Sequence, residues 1–146
     1  MIQAGALAIE GRALLVEGPP GCGKSSLALA LIARGAGLIG DDAVTLTVEG
    51  ARGHERLIAS PPPHIAGLCE VDGVGIAQMP TAPPAPVALI LSLGGPPGER
   101  LPQVPIPTRT ISGIAVPVLA FDPGTIAPAE RALWALHMHG LFSSNP

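Results

Sequence analysis

The stretch that decides the fold is residues 18–25, which read Gly18-Pro19-Pro20-Gly21-Cys22-Gly23-Lys24-Ser25. It fits the phosphate-loop pattern G-x-x-x-x-G-K-[ST] at every fixed position. Residues 13–16 before it form a short apolar run that is typical of a buried strand. Residues 26–33 after it are rich in helix formers, and Gly35 supplies a stop. Because strand, glycine loop and helix follow in this order, we predict a nucleotide-phosphate site.

Phosphate binding explains why the loop needs these residue types. Glycines let successive backbone N–H groups point inward as an anion nest, and the helix N-terminus adds partial positive charge. Lys24 is expected to reach the β- and γ-phosphates, and the Ser25 hydroxyl to ligate Mg²⁺. The predicted nucleotide-binding residues are Gly18, Pro19, Pro20, Gly21, Cys22, Gly23, Lys24, Ser25 and Ser26. The alternative is a chance match in a chain with 19 glycines and 18 prolines, which the flanking strand and helix disfavour.

Length and composition predict one domain spanning residues 1–146, with a core built from aliphatic side chains. Apolar residues make up 47% of the chain but aromatic residues only 2%. The formal net charge of −3 and the scarcity of stacking side chains argue against a nucleic-acid partner. No apolar stretch approaches the roughly 18–20 residues that span a bilayer, and the N-terminus lacks a signal-peptide layout. We therefore expect no membrane partner and a cytoplasmic location.

The two cysteines, Cys22 and Cys69, are expected to be reduced thiols. Cys22 lies inside the phosphate loop, where a disulfide would block the anion nest. Neither cysteine has a His or Cys neighbour at metal-ligand spacing. Since a thiol at a helix N-terminus can be activated, Cys22 is a candidate for alkylation.

The rest of the chain reads as many strands and few helices. Residues 2–9 and 13–17 are expected to form an antiparallel hairpin that leads into the phosphate loop. Helices are predicted over 24–34 and over 128–139, the second ended by Gly140. Strands are expected at 38–42, 43–48, 57–59, 87–93 and 112–121. Between them we expect a brief helical turn after 61–63, a tight or nucleotide-facing loop at 69–76 and extended chain at 80–86. Pro117 places the last strand at an edge or a bulge.

Two carboxylates, Asp41 and Asp42, end the strand 38–42. Phosphoryl transfer needs charge neutralisation and a group that takes the proton of the nucleophile. Adjacent side chains of a strand point to opposite faces, so we expect one carboxylate to face the Mg²⁺ shell and the other the acceptor hydroxyl. Glu70 is a candidate for completing the metal shell. The alternative for Asp41-Asp42 is a solvated turn, since Gly-Asp-Asp is a common turn signal.

Two long motifs in the same order resemble the catalytic domain of bacterial HPr kinase/phosphorylase. The first comprises residues 18–25, Leu-Ala-Leu at 27–29, Arg34-Gly35 and Leu-Ile-Gly-Asp-Asp at 38–42. The second comprises Pro-Pro-His-Ile at 62–65 and residues 68–76, which are similar to the family signature E-[IV]-R-G-[LV]-G-I. The resemblance covers residues 3 to 78 well. Residues 89–91 and 99–102 resemble the short alphaproteobacterial members. That resemblance implies a protein without the separate N-terminal domain of the longer relatives.

The resemblance implies an α/β fold, a single P-loop domain with a mixed β-sheet and few helices, similar to phosphoenolpyruvate carboxykinase. It implies a protein-serine kinase that uses ATP and Mg²⁺ to phosphorylate HPr of the sugar phosphotransferase system, and that can also dephosphorylate it with inorganic phosphate. By position, Asp42 is implied as general base, Asp41, Ser25 and Glu70 as metal ligands, and Lys24 as the residue that neutralises phosphate charge. It also implies a homo-oligomer, often a hexamer, in which helix 128–139 of a neighbouring copy helps to hold HPr.

Two positions depart from the family pattern. Gln3 stands where many members have histidine, and Asp72 stands where the second signature has arginine. Arginine binds phosphate bidentately whereas aspartate repels it, so phosphorolysis is expected to be weak or absent. The alternative functions are a nucleotide-binding regulator without transfer activity and a small-molecule kinase. The latter is disfavoured because the eight Lys and Arg residues do not form the cluster of an arginine-rich lid.

Overall fold

The computed structural model describes residues 2–62, 67–71, 73–96, 98 and 100–142. Strands dominate these residues, and the two helices lie near the beginning and the end of the chain. The elements are β1 (Gly5–Ile9), β2 (Arg12–Glu17), α1 (Lys24–Ile32), β3 (Gly37–Gly40), β4 (Thr45–Glu49), β5 (Arg56–Ser60), β6 (Leu68–Val71), β7 (Gly75–Gln78), β8 (Ala85–Ser92), β9 (Thr108–Ile111), β10 (Ile114–Ala120) and α2 (Pro128–His139).

The main sheet is mixed and has the strand order β3-β1-β2-β8-β10-β9. The hairpin β1–β2 is antiparallel, as predicted, and β1 also pairs antiparallel with β3. Strands β2, β8 and β10 run parallel to one another, and β9 returns antiparallel to β10. The antiparallel pair β4–β5 joins the start of β8, while β6 and β7 form a separate two-stranded sheet. This mixed sheet with two helices confirms the predicted fold class.

The core lies on both faces of the central strands β2 and β8. Leu14 and Val16 pack in the cluster that contains the buried side chains of both helices, whereas Leu15 packs in a second cluster with side chains of β3 and β5. A strand buried on both faces needs apolar residues at every position, which is why β2 and β8 read as continuous apolar runs. Register shifts by one residue between Ala13 and Leu14, which places an extra residue in β8.

Helix α1 ends earlier than predicted because a Schellman motif closes it. The N–H of Ala36 bonds to Leu31 O at 3.1 Å, and that of Gly35 bonds to Ile32 O at 3.0 Å. Gly35 has a φ of 97°, which a side chain would disfavour. Helix α2 has the predicted bounds, with Gly140 as its C-cap. Neither of these helices, within the described residues, has the length and apolar character that crossing a bilayer requires.

Two local predictions need correction. Residues 69–71 and 75–76 are not loop but strand, since Cys69 pairs with Ala77 and Glu70 with Ile76, and the predicted tight loop is limited to the turn at Gly73 and Val74. The last strand, β10, is not at an edge, because it pairs with β9 over residues 114–117 and with β8 over residues 118–120. Pro117 stands where the partner changes, so its missing N–H is tolerated inside the sheet. The helical turn expected after residues 61–63 falls mostly on residues outside the described ranges.

The topology brings four chain segments to one edge of the sheet. Because β1 is antiparallel to both β2 and β3, those two strands run in the same direction, which is also that of β8 and β10. The segments that follow these four strands therefore share the carboxyl edge, where ligands bind in open α/β sheets. They are residues 18–23, 41–42, 93–96 and 121–124.

Candidate functional site: the phosphate loop and the acidic strand end

The phosphate loop connects β2 to α1 at this carboxyl edge. Gly18, Gly21 and Gly23 have φ values of 153°, 79° and 98°, in the region that favours glycine. Helix α1 begins at Lys24, and no side chain of the described residues caps it by a hydrogen bond. No acidic residue lies in its first turn. The loop therefore has the backbone of an anion nest at a helix N-terminus that is open to an anion.

The Lys24 ammonium lies within the loop. Its Nζ donates a hydrogen bond of 2.6 Å to the carbonyl oxygen of Gly18, six residues earlier. Lys24 and Cys22 are half-buried, and the loop residues that face solvent are Pro19, Pro20, Gly21, Ser25 and Ser26. The positive charge thus stands beside the backbone amides that would surround a phosphate.

The prediction that Asp41 and Asp42 end a strand over 38–42 was wrong, because β3 ends at Gly40 and both aspartates follow it in a bend. They still lie at the same edge as the loop. Strand β1 separates β3 from β2, so the two strand ends lie two strand spacings apart, about 10 Å. Asp41 is half-buried and Asp42 is exposed. A transferring phosphoryl group and its acceptor hydroxyl are of a size to lie between these ends.

Asp41 is also in contact with the β6–β7 hairpin. The backbone N–H of Glu70 donates a hydrogen bond of 3.4 Å to Asp41 Oδ2. Burial raises the pKa of Asp41, the Glu70 N–H partly opposes this, and the Asp42 charge raises it further. Ionisation of the Asp41 carboxyl is therefore less favourable than in water, and a cation beside it would stabilise the ionised form.

These donors fit a magnesium ion. Mg²⁺ prefers oxygen ligands and is commonly held by one or two carboxylates together with substrate phosphates. Glu70 bonds to Asp41 through its backbone N–H, and its negative charge also raises the pKa of Asp41, so a second carboxylate lies near Asp41. The Ser25 hydroxyl lies at the start of α1. No cluster of three or more His, Cys, Asp or Glu side chains occurs in the described part of the chain, so a cation would depend on the nucleotide for further ligands.

A cavity that no sequence pattern indicated lies on the other side of the loop. It has a volume of about 640 Å³ and lies between the segments that follow β8 and β10. Its wall includes Cys22 of the phosphate loop, the side chains of Arg100 and Arg131, and the segment Phe121–Pro123. These residues come from four separate parts of the chain, so no local pattern could have indicated them.

Comparison with known proteins then decides the family. The family model described as HPr Serine kinase C-terminal domain matches residues 2–82. The chain belongs to this family. The match includes the phosphate loop, both aspartates of the acidic strand end and Glu70.

Individual relatives agree with this assignment. The domain is 42% identical over 74 residues to HPr kinase/phosphorylase of Clostridium tetani, covering 50% of this chain and 23% of the relative. It is 31% identical over 119 residues to HPr kinase/phosphorylase of Burkholderia cenocepacia, covering 77% of this chain and 36% of the relative. The chain thus spans only about a quarter to a third of the length of these curated relatives.

A solved structure shares the fold over most of the domain. The Hpr(Ser) kinase/phosphatase of Coxiella burnetii superposes with a TM-score of 0.72 and 30% sequence identity. The alignment covers 92% of this chain and 87% of that chain. The mixed sheet and its helices are therefore those of this family of kinases.

An ion pair holds the strand that enters the loop. Arg109 of β9 donates two hydrogen bonds to the Glu17 carboxylate, at 2.6 and 2.8 Å. These bonds hold the pKa of Glu17 below its ordinary value of 4.5. Since Glu17 is the last residue of β2, the pair links the start of the phosphate loop to the β9 edge of the sheet.

We expect Arg109→Gln to lower the free energy of unfolding by up to about 1 kcal/mol at neutral pH, because the Arg109 side chain is 45% exposed and water screens the pair. The folded-state pKa of Glu17 is depressed, so its contribution is complete above the unfolded pKa. It is lost as the pH falls through the folded pKa. Urea unfolding at neutral and acidic pH measures the difference, with Arg52→Gln in the β4–β5 loop as control. An equal loss at both pH values would contradict the assignment.

The two thiols should differ sharply in reactivity. Cys22 is partly exposed in the phosphate loop, whereas Cys69 is only 1% exposed. Burial, and then the negative charge of Asp41, raises the pKa of Cys69 to about 11. We expect N-ethylmaleimide to modify Cys22 at least about tenfold faster than Cys69, with protection of Cys22 by ATP. Peptide mass spectrometry measures the modification rates of both cysteines. Faster labelling of Cys69 than of Cys22 would contradict the prediction.

Proposed function

We propose that this domain is an ATP- and Mg²⁺-dependent protein-serine kinase that phosphorylates HPr, the phosphocarrier of the sugar phosphotransferase system. One observation carries the proposal: the phosphate loop and the acidic strand end lie at the same edge of the sheet. The loop accounts for nucleotide binding, and the aspartates account for transfer. The family membership and the names of the relatives support HPr as the acceptor.

In the proposed mechanism the loop amides and Lys24 bind the β- and γ-phosphates, and Asp42 accepts the proton of the serine hydroxyl. The serine oxygen then forms a bond to the γ-phosphorus as the bond between that phosphorus and the β,γ-bridging oxygen breaks, and ADP leaves. When bound, Mg²⁺ neutralises charge on the phosphate oxygens. Ser25, Asp41 and Glu70 would hold it. The exposed position of Asp42 suits a base that must meet a hydroxyl on another protein.

We also propose that the domain works in the cytoplasm as a homo-oligomer, a hexamer by family resemblance. Helix α2 of a neighbouring copy would help to hold HPr. Trp134 and Met138 support this role, since their side chains are 64% and 66% exposed on α2. Large apolar side chains on one exposed helix suit a protein contact.

The direct test is incubation of the protein with γ-labelled ATP, Mg²⁺ and HPr from the same organism. We expect label on a single HPr serine, and none when that serine is replaced by alanine or when EDTA removes the metal. ATP binding without any labelled HPr would instead support a nucleotide-binding regulator. Labelling of a small metabolite in an extract, but not of HPr, would support a small-molecule kinase.

We predict that the reverse reaction with inorganic phosphate is weak or absent. Gln3 is exposed and carries no charge, and Asp72, which lies outside the described residues, would repel phosphate. Purified protein, phosphate and seryl-phosphorylated HPr should therefore yield little pyrophosphate. Asp72→Arg, alone or with Gln3→His, should increase the yield. Rapid pyrophosphate release by the unchanged protein would refute this prediction.

A further inference from the structure

The cavity beside the phosphate loop has no role in the proposed transfer reaction. Its place in the sheet order is informative. The acidic strand end follows β3, two strands to one side of β2, while the cavity lies at the ends of β8 and β10, on the other side of β2. The phosphate loop stands between them.

We propose that this cavity binds the nucleoside of ATP. The inference rests on the proposed function, because that function sets the γ-phosphate toward Asp42. ATP is a linear molecule with the nucleoside at one end of the phosphate chain and the γ-phosphate at the other. When ATP binds with its phosphates in the loop and its γ-phosphate toward β3, the nucleoside lies on the side of β8 and β10.

The walls of the cavity touch the phosphate loop directly. A Cβ built on Gly94 would lie 2.9 Å from Pro19 Cδ and 3.0 Å from Cys22 Cβ. A Cβ built on Gly23 would lie 3.1 Å from Pro123 Cγ. The segments after β8 and β10 are thus packed against the loop, and a group attached to a loop-bound phosphate enters the cavity without crossing a gap.

The size and lining of the cavity suit a nucleoside. A volume of about 640 Å³ lies within the roughly 300–1,000 Å³ of small-molecule sites. Much of the wall is glycine, proline and alanine, with few polar side chains: Ser92, Arg100, Asp122 and Arg131. Such a mixture of apolar surface and a few polar groups is typical of ligand pockets. Arg100 and Arg131 also favour the negative charge of the attached phosphates.

Arg131 is held in place before any ligand arrives. Its guanidinium stacks over the Phe121 ring at 5.0 Å from the centroid, and its Nε donates to Ile126 O at 2.9 Å. Its Nη2 donates to the Asp122 carbonyl oxygen at 3.0 Å. A fixed planar cation offers a stacking face to a purine at little entropic cost. The Asp122 carboxylate, which accepts the Gly124 N–H at 3.1 Å, is similarly fixed and can accept a ribose hydroxyl.

Gly95 offers a way to fill the cavity without disturbing the fold. It lines the cavity, its φ lies outside the left-handed region, and a Cβ there would meet no atom within 4 Å. We expect Gly95→Phe to weaken ATP binding about tenfold or more, and to leave binding of inorganic tripolyphosphate within about twofold of wild type. The control is Ala51→Phe, which adds the same ring to the exposed β4–β5 loop. Calorimetric titration with Mg²⁺ present measures both ligands.

The outcomes separate this inference from the proposed function. If Gly95→Phe weakens binding of both ligands equally, or of neither, the nucleoside does not lie in the cavity, and the proposed kinase function is unaffected. If the wild type binds neither ligand, the nucleotide site itself is wrong and both proposals fail.

Photolabelling of the wild type with azidoadenosine triphosphate is a second test, which needs no variant. Crosslinks within residues 92–102 or 119–131 support the inference, and crosslinks within residues 67–78 overturn it.

Discussion

Asp42→Asn is expected to lower the rate of phosphoryl transfer to HPr by about 10³-fold while changing the dissociation constant of ATP by less than about threefold. The amide has the size of the carboxylate but cannot take the serine proton. Asp42 is exposed at the end of β3, away from the phosphate loop by two strand spacings, so its loss should leave the nest intact. The measurements are single-turnover transfer from γ-labelled ATP and calorimetric ATP binding.

The matched control for Asp42→Asn is Glu49→Gln, which removes one exposed carboxylate at the end of β4. It changes the net charge equally and should leave transfer unchanged. A transfer rate for Asp42→Asn within about tenfold of wild type would mean that another group accepts the proton. A parallel loss of ATP binding would mean that the substitution acts on the nucleotide and not on the acceptor.

Gly18→Ala is expected to abolish ATP binding and to lower the free energy of unfolding by about 3 kcal/mol. A Cβ at this position would lie 2.6 Å from both Cys22 Sγ and Leu93 O. The second of these atoms belongs to the backbone just after β8, which a side-chain rotation cannot move away. The φ of 153° adds backbone strain. The loop must therefore shift as a whole.

Gly21→Ala provides the comparison, since Gly21 has a φ of 79° but a Cβ there would meet no atom within 4 Å. Only backbone strain should appear, about 1 kcal/mol. Adding Cys22→Ala to Gly18→Ala removes the contact with sulfur and keeps the contact with Leu93 O, so it should not restore stability. Urea unfolding of the wild type and of these three variants measures the losses. Equal losses for Gly18→Ala and Gly21→Ala would show that close packing is not the cause.

The elements that the sequence predicts well are those with a continuous local signal. The phosphate loop is eight adjacent residues, and β2 and β8 are apolar throughout because both of their faces are buried. The bounds of α2 follow from Pro128 in its first turn and from Gly140 at its end. In each case the physical cause lies within a few residues of the element itself.

The features that were missed depend on distant contacts. Pro117 suggested an edge or a bulge, yet β10 changes partner at that residue, which no local pattern reveals. Glycines 73 and 75 suggested a loop over residues 69–76, but only Gly73 and Val74 form a turn, because Cys69 is buried in the core and anchors a hairpin. The cavity is lined by Cys22, Arg100 and Arg131, which lie far apart in the sequence. The roles of Lys24, Asp41 and Asp42 stay predictions, because they concern phosphoryl transfer, which is tested by measuring the reaction.

The parallel pairing of β2 with β8 has a consequence for synthesis on the ribosome. Leu14 pairs with Leu89, and one side of β2 has no other strand to bond with. Until β8 emerges from the exit tunnel, the nascent chain can form the β1–β2 hairpin but cannot cover the far side of β2. Leu141, which follows α2, tightens this closure, because its N–H bonds to Ala88 O at 2.9 Å. Nucleotide should therefore protect nascent chains from proteolysis only after β8 and α2 have been translated.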